Sequence, residues 1–202
     1  TFEACIPLVR GAMIAFSRGQ TRQLLRSVIP LVDGRMFGIM PGAMGERAVF
    51  GAKLISIFPD NFARGAPSHQ GVIVLFNGAS GAPLCVSAAG GGPATRPAGA
   101  SGVATDALAR PEACTLAILG YGEQAGTHIR AISHVRPLTR VTVWGRDPDK
   151  AAAFARDMSR KTGLSVEASP DARSAVAAAD IVCTVTNARE PILLGKWRRP
   201  GT

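Results

Sequence analysis

The stretch from Thr115 to Ala125, Thr-Leu-Ala-Ile-Leu-Gly-Tyr-Gly-Glu-Gln-Ala, constrains this chain more than any other. A short apolar run enters Gly120-Tyr121-Gly122, and Ala125 follows three positions on, the order of a strand turning tightly into a helix. In such a turn Gly120 permits the bend, Gly122 lets the backbone approach a pyrophosphate, and Ala125 allows close helix packing. The free N–H groups and the positive dipole end of the helix then face phosphate charge. The alternative is a purely structural glycine turn, and the surrounding pattern argues against it. Strands are predicted over Thr115 to Leu119, Arg140 to Trp144, Ser165 to Ala168 and Asp180 to Thr186, with helices over Gln124 to Val135, Pro148 to Lys161 and Pro170 to Ala179. Asp147 and Ser169 stand as amino-terminal caps, each followed by proline at the first helical position. This is β-α-β-α-β-α-β, a parallel sheet wound with helices.

The first half has a different texture. A helix is expected from Phe2 to about Phe16, with Phe2, Ile6, Val9, Met13 and Phe16 on one face. Strand-like runs follow at Ser27 to Val32, Arg35 to Met40, Ala48 to Phe58, Gly71 to Asn77 and Pro83 to Ser87, with a turn from Asn77 to Ala82. A glycine-rich stretch, Ala88 to Gly92, leads to a small-residue helix over Ala98 to Ala109. This half reads as α+β. The boundary falls near Pro111 to Cys114, which gives domains of 1–113 and 114–202.

At 202 residues, with 47% hydrophobic and 18% charged, the chain can bury a core and is not a disordered one. No apolar run approaches the roughly 20 residues of a bilayer span, and the amino end lacks the sections of a signal peptide. The expectation is a soluble, cytoplasmic protein with no membrane contact. The net charge of +9 comes from scattered arginines, with one local knot at Lys196, Arg198 and Arg199, and aromatics are 5%. Nucleic-acid binders cluster cations and interleave aromatics, so no nucleic-acid partner is expected; the cations suit small anionic ligands instead. Cys5, Cys85, Cys114 and Cys183 lack metal spacing and read as buried free thiols, and no metal is expected. His69, His128 and His134 read as surface or packing residues.

At the end of the second strand of the parallel sheet an acid would accept hydrogen bonds from an NAD ribose. Here the chain reads Trp144-Gly145-Arg146-Asp147, so the acid is absent from the strand end itself. Arg146 is suited to a 2′-phosphate and favours NADP, while Asp147 keeps NAD as the alternative. Along Val49 to Phe58, period-two alternation puts Lys53 on a face with Val49, Gly51, Ile55 and Ile57. A lysine there either snorkels outward or sits in a pocket where an anionic ligand satisfies it. Arg96, before Pro97 at a helix start, either binds an anion with the helix amides or is a solvated surface residue.

These residues together resemble the ornithine cyclodeaminase/mu-crystallin family. The resemblance runs from about Gln20 to Thr202. It is carried by Gly51-Ala52-Lys53, Pro59-Asp60-Asn61, Gly120-Tyr121-Gly122-Glu123-Gln124-Ala125, Val143-Trp144-Gly145-Arg146, Ala179-Asp180-Ile181-Val182-Cys183-Thr184-Val185-Thr186, Glu190-Pro191-Ile192-Leu193 and Trp197-Arg198-Arg199-Pro200-Gly201. It implies an α/β architecture, a Rossmann-type NAD(P) domain preceded by an α+β substrate-binding and dimerisation domain, in a homodimer. It further implies Arg26 and Lys53 as the substrate-binding pair, Lys53 as the catalytic residue and Arg96 beside both substrate and cofactor phosphate. Gly120, Gly122, Glu123, Gln124, Ala125, Gly145, Arg146, Asp147, Thr184 and Thr186 would line the nucleotide.

Two departures stand out. Members of the family usually read Thr-x-x-Arg-Thr-Ala-Ala where this chain has Pro93-Ala94-Thr95-Arg96-Pro97-Ala98-Gly99, so both hydroxyls are replaced by proline. The resemblance also implies a Rossmann domain that continues past Thr202, with the family's catalytic aspartate in that continuation; the segment 114–202 reads as truncated. The leading expectation is NAD(P)H-dependent reduction of a cyclic imino acid, of the Δ1-pyrroline-2-carboxylate or ketimine type, to a cyclic amino acid such as L-proline. The alternatives are ornithine cyclodeaminase, which turns L-ornithine into L-proline and ammonia with bound NAD, and a non-catalytic NADP-dependent binder of a small ligand.

Overall fold

The computed structural model describes residues 1–45, 49–89 and 95–202. The expected Gly90-Gly91-Gly92 run, Pro93 and the strand residue Ala48 lie outside the described residues. By internal contacts the chain divides into two compact units, Thr1–Val9 with Ala94–Thr202, and Arg10–Pro93.

The first unit holds a four-stranded parallel sheet. Its strands are β7 (Thr115–Leu119), β8 (Arg140–Trp144), β9 (Val166–Ala168) and β10 (Ile181–Thr184), ordered β10-β7-β8-β9. Helices α3 (Glu123–Ser133), α4 (Pro148–Thr162) and α5 (Ala172–Ala177) connect them. Strand alternation builds the core on both faces. Leu116 and Ile118 join Ile129, Ile132, Val141 and Val143 on one side, and Ala117 and Leu119 join Ala175 and Val176 on the other. Each such large side chain, out of water almost completely, contributes about 1.5–3 kcal/mol toward the fold.

Helix α4 begins as the sequence predicts. The Asp147 carboxylate accepts from Lys150 N at 3.1 Å, and Pro148 follows the cap. Its end is a left-handed Gly163 with φ of 73°. Helix α5 corrects the expectation that Pro170 opens it behind a Ser169 cap. The cap is Asp171, which accepts from Ser174 N at 2.8 Å and from the Ser174 hydroxyl at 2.7 Å, while Ser169 Oγ donates to Asp171 O at 2.8 Å. Asp171 stands two positions nearer the helix than Ser169 and its carboxylate takes the Ser174 amide, so the proline stays outside the helix.

Helix α2 (Thr95–Leu108) packs on α3 and buries a face of small residues, Ala98, Gly99 and Gly102. The start of α1 (Phe2–Ser17) lies on that same face: a Cβ on Gly102 would stand 3.1 Å from Ile6 Cδ1. The carboxyl end of α2 is capped from elsewhere in the unit. Buried Arg136 donates to the carbonyls of Thr105, Asp106, Ala109 and Arg110 and pairs with the Asp106 carboxylate at 3.3 Å. One guanidinium thus satisfies carbonyls that helix termination leaves free.

The second unit holds a six-stranded antiparallel sheet with strand path β1-β3-β4-β5-β6 and β2 paired to β3. The strands are β1 (Thr21–Gln23), β2 (Ser27–Pro30), β3 (Met36–Met44), β4 (Val49–Ile57), β5 (His69–Asn77) and β6 (Pro83–Ala88). The β5–β6 turn is locked by Asn77 Oδ1, which accepts from Ala79 N at 2.9 Å and Ser80 N at 3.0 Å. Few side chains of this unit are buried within the chain; Ile55 is one, whereas Val86 on β6 keeps 69% of its surface. All four cysteines are free thiols, but Cys85 is exposed on β6 rather than buried, because both faces of that strand are open. Burial does push the Cys183 thiol up to about 11.

Candidate functional site

In the second unit the strand register brings the expected substrate pair to one level of the sheet. Ser27 stands opposite Ile39, and Lys53 stands opposite Met40 on the other side of β3. Arg26, immediately before Ser27, therefore enters the sheet one step from the residue that faces Lys53. Lys53 lies mid-strand in β4, flanked by Met40 and Ile73, on the face of buried Ile55. It is half-buried, and among the described residues it has no hydrogen-bond or ion-pair partner. Arg26 is exposed in the link between β1 and β2. An arginine fork and an unpaired ammonium are the groups that suit a carboxylate, and here β3 lies between the elements that carry them.

In the first unit the expected nucleotide residues gather at the carboxyl edge of the parallel sheet. The strand order changes direction between β7 and β10, which is where open parallel sheets bind ligands. Gly120 closes the turn after β7: its φ is +126°, its N–H donates to Trp144 O at 2.7 Å, and a Cβ there would stand 2.5 Å from Val185 O. Three strand ends are thereby tied together, since Val185 N also donates to Leu119 O at 2.9 Å. Thr184, the last residue of β10, and Thr186, whose Oγ1 accepts from Ala188 N, are exposed at this edge.

The amino end of α3 has the features an anion needs. Gly122 is its cap, with no side-chain hydrogen bond to the first-turn amides. A Cβ on Gly122 would meet nothing within 4 Å, so the space before those amides is open. Ala125 is fully buried, which lets the helix lie close on the sheet. Exposed Glu123 opens the helix. Gln124 contributes its backbone carbonyl to Thr127 Oγ1 at 2.9 Å and to His128 Nδ1 at 2.7 Å, while its side-chain Oε1 is buried without a partner among the described residues. His128 is thus a buried packing residue, and His134 is exposed.

After β8, the ring of Tyr121 packs directly on Gly145. Arg146 is exposed and, among the described residues, has no ion-pair partner. Asp147 is the α4 cap, and the Lys150 amide and ammonium beside it hold its carboxyl below the ordinary 3.8. Arg96 is exposed as the second residue of α2. An open, uncapped helix end behind a glycine turn, with a free guanidinium after the next strand, fits the pyrophosphate and ribose portions of a dinucleotide. No group of His, Cys, Asp and Glu among the described residues is placed to hold a metal ion, and no described helix is long and apolar enough to cross a membrane.

The residues that sequence reasoning missed are structural ones. Asp180, at the opposite edge of the sheet, accepts from Thr115 Oγ1 at 2.7 Å and from the amides of Cys114 and Thr115 at 3.1 Å, and pairs with Arg110 at 2.9 Å and Arg199 at 3.4 Å. Its carboxyl is held below the ordinary value, first by the Thr115 hydroxyl. Arg199, part of the terminal basic knot, is spent on this network. Its position two residues after Trp197, which packs against the sheet, is the one sequence hint.

The model of the ornithine cyclodeaminase/mu-crystallin family matches residues 1–202. A ketimine reductase mu-crystallin of Rattus norvegicus is 32% identical over 200 residues, covering 97% of this chain and 63% of that protein. A Delta(1)-pyrroline-2-carboxylate reductase of Bacillus cereus is 32% identical over 189 residues, covering 93% of this chain and 58% of that protein. Among solved structures, the Thermococcus litoralis Delta(1)-pyrroline-2-carboxylate reductase in complex with NADH and L-proline superposes with a TM-score of 0.91 at 32% identity, covering all of this chain and 63% of that one. The chain thus spans about three-fifths of the length of the relatives it matches.

Proposed function

The chain belongs to the ornithine cyclodeaminase/mu-crystallin family, and from that premise we propose that it serves an NAD(P)H-dependent reductase of cyclic imino acids of the Δ1-pyrroline-2-carboxylate or ketimine type. The product is a cyclic amino acid such as L-proline. The observation that carries this reading is the open, uncapped amino end of α3 behind Gly120 and Gly122, in a chain whose relatives are named as reductases of such imines. The reading assigns substrate binding and dimerisation to residues 1–113 and the cofactor to residues 114–202. It places the protein in the cytoplasm as a homodimer. Apolar side chains left open on the six-stranded sheet, such as Leu84 and Val86, suit coverage by a second copy.

In this reading Arg26 and Lys53 hold the imino acid's carboxylate, which fixes the ring and its C=N bond. Lys53 also supplies the proton to the nitrogen as the bond is reduced. Gly120, Gly122, Glu123, Gln124 and Ala125 seat the pyrophosphate, with Thr184 and Thr186 on one flank and Gly145, Arg146 and Asp147 on the other. Arg96 serves phosphate and substrate. A bound reduced nicotinamide supplies the hydride that goes to the imine carbon. NADP is the preferred form because Arg146 is free for a 2′-phosphate.

The test is consumption of NADPH and NADH with Δ1-pyrroline-2-carboxylate and with its six-membered homologue. Net oxidation with formation of the cyclic amino acid supports a reductase. Release of ammonia and proline from L-ornithine without net oxidation would put cyclodeamination in its place, and tight NADPH-dependent ligand binding without turnover would leave a binder.

A further inference from the structure

Period-two alternation sets the face on which Lys53 stands: Met40 and Ile73 lie directly across from it on β3 and β5, and Gly51 and Ile55 lie two positions away along β4. On that face Gly38 and Gly42 of β3, Gly51 of β4 and Gly71 of β5 bring no side chain to the ground around the ammonium. The fold accounts for all of these glycines but one. A Cβ on Gly51 would collide with Val74 O, one on Gly71 with Leu54 O, and one on Gly38 would stand 3.0 Å from Ile55 Cγ2. Gly42 is different. It is exposed, it has no left-handed φ, and it pairs without a register shift with Gln23 on one side and Gly51 on the other. A Cβ there would meet only Arg22 O at 3.7 Å, an ordinary contact. A mid-strand glycine costs stability relative to a residue with a side chain, and no turn, bulge or close strand approach requires this one. Of the usual reasons for a glycine inside a strand, the close approach of a ligand remains.

We propose that Gly42 is a specificity-determining position: the space over it takes the ring methylenes of a cyclic imino acid whose carboxylate Lys53 holds, and its missing side chain admits a six-membered ring as readily as a five-membered one. Gly42 and Gly51 stand directly opposite each other, so together they leave a floor free of side chains across two strands. Met40 and Lys53 close one end of it and Met44 and Val49 the other, with Leu75 beyond Gly51 on β5. Met40 and Met44 are about 13 Å apart along the strand, room for one small ring with its carboxylate at the Lys53 end. Every wall except Lys53 is apolar, which suits ring carbons. The inference rests on the reading of Arg26 and Lys53 as the substrate pair, and it goes beyond that reading by naming the residue that sets ring size. A methylene gained or lost against such walls changes selection by about 10- to 200-fold.

The experiment is calorimetric titration of the full chain with L-proline and its six-membered homologue L-pipecolate, with NADPH present so that no turnover occurs. The unsubstituted chain is expected to bind L-pipecolate at least as tightly as L-proline, because the added methylene is buried; weaker binding of L-pipecolate overturns the proposal. Gly42→Val fills the floor with a residue that suits a strand. It is expected to weaken L-pipecolate at least about tenfold and L-proline by less, while the urea unfolding midpoint stays or rises. Equal weakening of the two ligands, or weakening of neither, would overturn the role in selection. A lowered midpoint would overturn it too, by showing that the fold needs the glycine. Lys53→Ala separates this inference from the reading beneath it. Loss of both ligands in Lys53→Ala, with an unchanged preference in Gly42→Val, refutes the ring-size role alone. Retention of both in Lys53→Ala refutes the substrate pair itself, and a chain that binds neither amino acid removes both.

Discussion

The ring of Tyr121 lies where a side chain on Gly145 would have to be, so the loop after β7 and the turn after β8 interlock through one aromatic and one glycine. This contact places the glycine-rich turn against the start of the Arg146–Asp147 segment. Gly145→Ala is expected to push the ring aside and destabilise the fold by about 1–2 kcal/mol in urea unfolding, the usual effect of one extra methyl in a filled space. Adding Tyr121→Ala should recover most of that loss, because the two changes act on one contact. A purely additive double variant would contradict the interlock.

Gly120 and Gly122 separate structure from binding. Gly120→Ala meets Val185 O and an unfavourable φ, and is expected to destabilise by at least about 2 kcal/mol. Gly122→Ala has open space around it, so unfolding should shift little while nucleotide affinity falls, since the methyl enters the space before the α3 amides. Unfolding midpoints and nucleotide titration of both variants check this contrast.

Lys53→Ala and Arg26→Ala are each expected to lower turnover by at least about a hundredfold while nucleotide affinity is retained. Equal loss of nucleotide binding in either variant would refute the division of roles. Steady-state kinetics with a parallel binding titration make the comparison.

Asp180 gives the acid limb of stability a specific origin. Its folded carboxyl titrates below the ordinary 3.8, so its ionised form stabilises the fold above that value, and the contribution is lost as pH falls toward and through the lowered folded value. Asp180→Asn should therefore lower stability at neutral pH, by about 2 kcal/mol for a charge with this many hydrogen bonds. The difference between the two proteins should shrink below about pH 4. Thermal unfolding across pH reads both; a difference constant with pH would contradict it.

Much of the fold was legible because its determinants are local. The parallel unit announces itself through Gly120-Tyr121-Gly122, whose spacing is meaningful only between a strand and a helix, and through Asp147-Pro148, which caps α4 as expected. What could not be read depends on distant partners. Ser169 and Asp171 are both sound caps, and only the conformation of the turn selects Asp171. Three-residue β1 carries too little pattern to register, and exists because Thr21, Arg22 and Gln23 pair with the end of β3. Arg136 looks like any surface cation in sequence; its burial follows from the end of α2, an element far earlier in the chain. Lys53 stands out in the sequence by its place on an apolar face, but its level with Arg26 emerges only from the register across β3.

The imine reductase reading is tested most directly by NADPH oxidation in the presence of Δ1-pyrroline-2-carboxylate, measured with this chain and with any longer natural form of it, alongside analysis of the product. One NADPH is expected to be consumed for each L-proline formed, with NADH the poorer donor. Formation of proline and ammonia from L-ornithine, with neither cofactor consumed in the imine assay, would contradict it.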